Sequence, residues 1–235
     1  MTVAFNKQRN CKIGFWFRKA CFSVGCFVMI LGVIDGALVW AEESASQRSS
    51  GDSLIIEDFE HPDERGFPQG WGAQRSTVTA HETYMIQEED GVSFLRAKKA
   101  NQRVYTKQMT WDPKQHPVLV WRWRLLAVPD GEEFIAAIYP SLDTDLLFIP
   151  VNTKYVWSAT LPVGSIKEGG IFSSTEIVIR SGTEPIGEWV EERVNVYEDF
   201  LKIHNHEPAA KAWGISLLGG SAVEIDFGVL RVETQ

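Results

Sequence analysis

The stretch Val118–Val128, VLVWRWRLLAV, constrains this chain more than any other. At strand period it places Trp121 and Trp123 on one face, and Arg122 and Arg124 on the other. The arginine face is otherwise apolar, flanked by Val118, Val120, Leu126 and Val128. Two guanidinium groups in an apolar row require carboxylate or ligand partners, because an unpaired buried charge is costly. The strand is therefore a candidate for the centre of both fold and function.

The N-terminus follows a different pattern. Lys7, Arg9, Lys12, Arg18 and Lys19 precede an apolar run from Ala20 to Ile34, and Ala37-Leu38-Val39-Trp40-Ala41 follows. A basic region, an apolar core and small residues at Val39 and Ala41 read as a secretory signal peptide, residues 1–41, cut after Ala41. The alternative is a retained anchor, since about 20 apolar residues span a bilayer, but Asp35 interrupts the run. All three cysteines (Cys11, Cys21, Cys26) lie in this leader, so the mature chain holds no disulfide and no thiolate metal site. The expected location is the periplasm or the exterior. Residues 42–53 include the polar run Ser44–Ser53, expected to be a flexible linker to a single domain over 54–235.

Cleavage would remove five basic residues and one acid, leaving 18 Lys and Arg against 30 Asp and Glu, a formal charge of −12. That balance argues against nucleic acid and anionic membrane surfaces as partners. After cleavage no membrane contact is expected, and oligomeric state is not readable from the chain.

Strand patterns fill the remainder. Alternating or apolar runs occur at Leu54–Glu60, Thr83–Glu88, Val92–Lys98, Gln102–Met109, Val118–Val128 and Phe134–Tyr139, the last ending at Pro140. Others follow at Leu146–Ile149, Lys154–Thr160, Glu176–Arg180, Gly187–Val196, Ala212–Leu218 and Val223–Glu233. Asp90-Gly91 between two alternating runs signals a tight hairpin. Tyr197–His204 alone shows helical spacing. The pattern predicts an all-β chain, a β-sandwich of the jelly-roll type with one short helix near Tyr197–His204. There is no βαβ alternation and no glycine-rich phosphate loop.

Several segments together resemble a known family. They are Gly66-Phe67-Pro68 to Trp71, Asp112-Pro113 leading into Leu119–Arg124, Tyr155-Val156-Trp157-Ser158 and Pro162-Val163-Gly164. Gly187–Val196 into Asp199-Phe200, and Ile225-Asp226-Phe227-Gly228, complete the set. They are similar to the bacterial secreted family known as domain of unknown function 3047. The resemblance implies a galactose-binding-like or carbohydrate-binding jelly roll with an extracytoplasmic ligand-binding role, and carries no established activity. The chain departs from the family pattern at Gly131-Glu132-Glu133, where Gly-Asp-Asp is usual. It departs again at Leu218–Ala222, where an Asp-rich loop is usual.

Candidate site residues come from charge within strands. In Gly187–Val196 one parity reads Val190, Glu192, Val194, Val196, a single acid in an apolar row. The other reads Trp189, Glu191, Arg193, Asn195. Glu192 is the natural partner for Arg122 or Arg124, since arginine suits bidentate carboxylate pairing. Either these groups form an ion-pair network holding strands or sheets together, or they line a half-buried ligand groove. For the groove, the candidate ligand-binding residues are Arg122, Arg124, Trp157, Trp189, Glu191, Glu192, Arg193 and Asn195. Trp121 and Trp123 are expected in the core, Trp157 is equally readable as core or platform, Trp189 is the best exposed aromatic, and Trp71 is a rim candidate.

No catalytic residue, metal site or cofactor is expected. The five histidines are scattered, and Glu191 and Glu192, as neighbours on a strand, point to opposite faces and cannot flank one bond. Asp143-Thr144-Asp145, or Asp58 with Asp226, could supply oxygens to calcium, but the family's aspartates are missing. The leading functional expectation is a non-catalytic binding module for a carbohydrate or small envelope ligand. A structural or partner-binding envelope protein and a glycoside-type hydrolase are the alternatives.

Overall fold

Most of the alternating runs are strands in the computed structural model, which describes residues 52–144, 149–170 and 173–235. The expected signal peptide lies outside the described residues, as does most of the linker. No described helix is long and apolar enough to cross a membrane.

One sheet has six strands. Strands β11 (Val190–Asn195), β6 (Val118–Ala127), β13 (Glu224–Glu233), β4 (Val92–Lys98) and β3 (Tyr84–Glu89) lie side by side in that order. The sixth, β1 (Ser53–Glu57), pairs with the end of β13 beyond the reach of β4. The second sheet has seven strands, in the order β2 (Gly72–Ala73), β5 (Val104–Thr106), β12 (Gly214–Gly219), β7 (Phe134–Thr144), β8 (Pro150–Ser158), β10 (Thr175–Ser181) and β9 (Ile166–Lys167). The two sheets form the expected all-β sandwich of the jelly-roll type.

The tryptophan face of β6 is core, as expected. Trp121 and Trp123 are fully buried and meet edge to face, ring centres 5.5 Å apart. Across the sandwich Trp121 reaches Tyr155 at 6.3 Å, and Trp123 reaches Trp157 at 5.3 Å, so indole packing joins the sheets. Burying one such ring is worth about 4–6 kcal/mol of apolar transfer. Trp71, read as a rim residue, is also buried, its Nε1 donating to Glu57 Oε2 at 2.7 Å.

Local signals account for the connections. Asp90 and Gly91 both have positive φ, which a two-residue hairpin between β3 and β4 requires. Helix α2 (Val196–His204) begins at Asn195, whose side chain accepts from the Glu198 N–H at 3.0 Å, and ends at Asn205 in the left-handed region. A second helix, α1 (Thr77–Thr83), corrects the one-helix expectation. Its β-branched first turn disguises it, but Ser76 caps it, accepting from the Thr79 N–H at 3.3 Å. Pro140 does not end β7: it pairs with Ile215 of β12, while pairing with β8 steps from Ile138–Tyr155 to Ser141–Asn152.

One buried polar cluster ties the start of α1 to both sheets. Gln102 Oε1 accepts from the N–H groups of Arg75 and Ser76, each at 2.9 Å, and its amide donates to Ser76 O at 2.8 Å. The Tyr84 hydroxyl donates to Gln102 O at 2.8 Å and accepts from the Gly219 N–H at 3.2 Å. Burial pushes this phenol's pKa well up, so it stays a hydroxyl. Tyr84→Phe leaves two buried backbone groups unpaired and should cost about 1–3 kcal/mol in urea denaturation. A loss too small to measure would show that the hydroxyl is not structural.

Candidate functional site

The arginine face of β6 turns outward and is covered by a row running across the six-stranded sheet. Asp226 of β13 stands between Arg96 of β4 and Arg124 of β6 in direct register. Trp189, one residue before the Val190–Trp123 pair, continues the row. Asp226 is fully buried. Its Oδ1 accepts from Arg96 Nε at 2.7 Å, and its Oδ2 from Arg96 Nη2 at 3.0 Å and from Arg124 Nε and Nη2 at 3.0 and 2.9 Å. Glu89, at the end of β3, takes Arg124 Nη1. The Asp226 carboxylate holds the Arg96 guanidinium pKa above its ordinary value.

Aromatic rings close over this pair. The Arg124 guanidinium lies 5.2 Å from the Phe94 ring and 4.7 Å from the Trp189 ring, and those rings meet edge to face at 5.5 Å. Each such cation–ring contact is worth about 0.5–2 kcal/mol. Gly228 gives the indole its seat: a Cβ there would stand 3.2 Å from Trp189 Cζ3. Thus the WRWR, Gly-Glu-Trp and Ile-Asp-Phe-Gly segments converge on one cluster.

Glu192 is not the partner of Arg122 or Arg124. The β11–β6 register sets Glu192 opposite Trp121 and Glu191 opposite Arg122, and opposed residues share a face. Glu192 therefore points between the sheets, accepting from Trp123 Nε1 at 3.1 Å and from Arg180 Nε of β10. Arg180–Glu192 is an ion pair that bridges the two sheets. Trp157 is likewise core: it is fully buried, and its Nε1 donates to Gly182 O at 2.7 Å.

The remaining candidates are spread along the outer face. Glu191 pairs with Arg231 at 3.2 Å, and Arg193 pairs with Glu233. Asn195 caps α2. Arg122 lies 5.5 Å from the Trp189 ring. The structure brings Arg122, Arg124 and Trp189 together and separates them from Trp157, Glu192 and Asn195.

An open concavity lies elsewhere, on the outer face of the seven-stranded sheet. Gly72, Tyr105, Ser216 and Tyr139 follow one another across β2, β5, β12 and β7 in register. Lys154 continues the row, its ammonium 5.8 Å from the Tyr139 ring and 3.1 Å from Glu176. A groove of about 540 Å³ is floored by Tyr105, Ser216, Ser141 and Asn152. Its walls include Arg103, Lys107, Trp213 and His204. Gly72 allows Tyr105 to lie flat, since a Cβ there would meet its Cζ at 2.9 Å. Trp213 is 37% exposed, a large share for a tryptophan. Burial lowers the His204 pKa, and its Nε2 is buried without a partner among the described residues. An aromatic floor with hydroxyl, amide and cationic groups suits a polar ligand carrying a flat apolar face.

Among the described residues no three His, Cys, Asp or Glu side chains gather into a cation site, and Asp226 is engaged by two arginines.

Fold and faces together define a jelly-roll β-sandwich with one sealed and one grooved outer face. The family model of domain of unknown function 3047, described as a protein of unknown function, matches residues 149–221 and bears out the resemblance read from the sequence. No curated protein matches the chain. Similar solved structures include the family 30 carbohydrate-binding module of a cellulosomal cellulase from Clostridium thermocellum, at 12% identity, TM-score 0.45, covering 78% of this chain and 98% of that one. The family 11 module of another cellulase from the same organism shows 7% identity, TM-score 0.43, and coverage of 80% and 97%. The K1 cleaved adhesin domain of Lys-gingipain from Porphyromonas gingivalis shows 13% identity, TM-score 0.41, and coverage of 79% and 99%. These are distant likenesses, and the functional reading below rests on this chain's own residues.

Asp226→Ala should cost about 3–5 kcal/mol, because it strands Arg124 and Arg96 without their shared carboxylate. Arg122→Ala should cost only about 0.5–1 kcal/mol, the worth of one half-exposed contact with Trp189. Equal losses in thermal or urea unfolding would contradict a clamp centred on Asp226.

Proposed function

We propose that this chain is an extracytoplasmic, non-catalytic binding module for a carbohydrate, and that the groove on the seven-stranded sheet is its ligand face. One observation carries the reading: the exposed Trp213 edges a concavity floored by Tyr105, Ser216, Ser141 and Asn152. Sugar rings present an apolar face to an aromatic ring and hydroxyls to such polar groups. The leader-like residues 1–41 support an extracytoplasmic setting.

The cluster around Asp226 serves better as structure. Its carboxylate and Arg124 are already paired with each other and with neighbouring groups, so a ligand would have to break those bonds. Among its described lining residues the groove has no Asp or Glu, the residue types that form the acid pair of a glycoside hydrolase.

Glycan-array screening followed by titration calorimetry tests the proposal. Tyr105→Ala and Trp213→Ala should each weaken saccharide binding at least about tenfold, or about 1.4 kcal/mol, with little change in melting temperature. Unchanged affinity in both variants would place binding elsewhere, and no hit across a broad array would reject the carbohydrate reading.

A further inference from the structure

The charge of the groove says more about its ligand. The full chain carries a formal net charge of −8, yet no described residue lining the groove is an acid. Arg103 and Lys107 flank Tyr105 at strand spacing and share its face. The Arg103 guanidinium lies 4.9 Å from the Tyr139 ring, and its Nε reaches Gln74 Oε1 at 3.5 Å. The Lys107 ammonium lies 5.0 Å from the Trp213 ring and 5.9 Å from the Tyr105 ring.

Elsewhere on the strands many cations meet an acid, although Arg122 meets only the Trp189 ring among the described residues. Arg96, Arg124, Arg180, Arg231 and Lys154 each meet a carboxylate. Arg103 and Lys107 meet none among the described residues. They lie against neutral aromatic rings, which hold them without a carboxylate partner among the described residues. Glu176, farther along the same sheet, is occupied by Lys154.

We infer that the groove takes an anionic saccharide, one whose carboxylates meet Arg103 and Lys107 while its rings lie against Tyr105 and Trp213. This rests on the carbohydrate-binding reading and narrows it to uronate-containing glycans. A guanidinium favours the planar, two-oxygen geometry of a carboxylate, and the half-enclosed groove limits screening.

The test uses short oligogalacturonates and the same oligosaccharides fully methyl-esterified, which keep the rings and lose the charge. Neutral xylo- and gluco-oligosaccharides and polyaspartate complete the set. The acid form should bind about 10–100-fold more tightly than its ester, the range expected for charge-assisted hydrogen bonds, and added salt should weaken it. In Arg103→Gln and Lys107→Gln the difference between acid and ester should shrink, with melting temperatures retained. Equal or better binding of the ester or the neutral oligosaccharides would overturn the inference and leave the saccharide reading standing. Polyaspartate binding as tightly as oligogalacturonate would reduce the groove to an unselective cationic patch and overturn it as well. If no saccharide binds at all, both readings fall.

Discussion

The fully buried carboxylate of Asp226 is the constraint on which the six-stranded sheet depends. An unpaired charge there would be prohibitive, so Arg96 and Arg124 must flank it, which fixes β4, β13 and β6 in a single register. Arg124 is then enclosed between Phe94 and Trp189, and Trp189 needs the bare backbone of Gly228 beneath it. One carboxylate thus explains why arginines can stand in an otherwise apolar row. Val120, fully buried on that row, lies opposite Arg193 and Arg231, whose aliphatic stems can cover it.

The two outer faces divide the remaining work. On the six-stranded sheet, Asp226 is matched by Arg96 and Arg124 and rings close over them, which resists entry of a ligand. On the seven-stranded sheet, aromatic and hydroxyl groups line an open concavity whose cations lack described carboxylate partners. Between them, indole packing and the Arg180–Glu192 pair hold the sheets together. Rigidity comes from one face and from the core, and we propose that recognition falls to the other face.

Much of the fold was legible in the chain because alternation is a local signal. The core placement of Trp121 and Trp123, the Asp90-Gly91 hairpin and α2 all follow from neighbours within a few residues. The clamp was half legible. Both arginines of β6 were evident, but their partner depended on which parity of β11 faces outward, and cross-strand register settles that. The apolar row containing Glu192 packs inward with the tryptophans, whereas an apolar arginine row had suggested the opposite. The groove was not legible, because Tyr105, Tyr139, Lys154 and Ser216 each look like ordinary strand residues. They become a row only when strands distant in sequence are laid side by side. The exposure of Trp213 and the access of Tyr105 over Gly72 are likewise tertiary facts.

The most direct test of this division is to follow the tryptophan indole N–H signals by NMR while titrating the protein with oligosaccharides. The Trp213 signal should shift on saturation while that of Trp189 stays in place. Movement of Trp189 with Trp213 unmoved would contradict this division, placing recognition on the face that Asp226 closes.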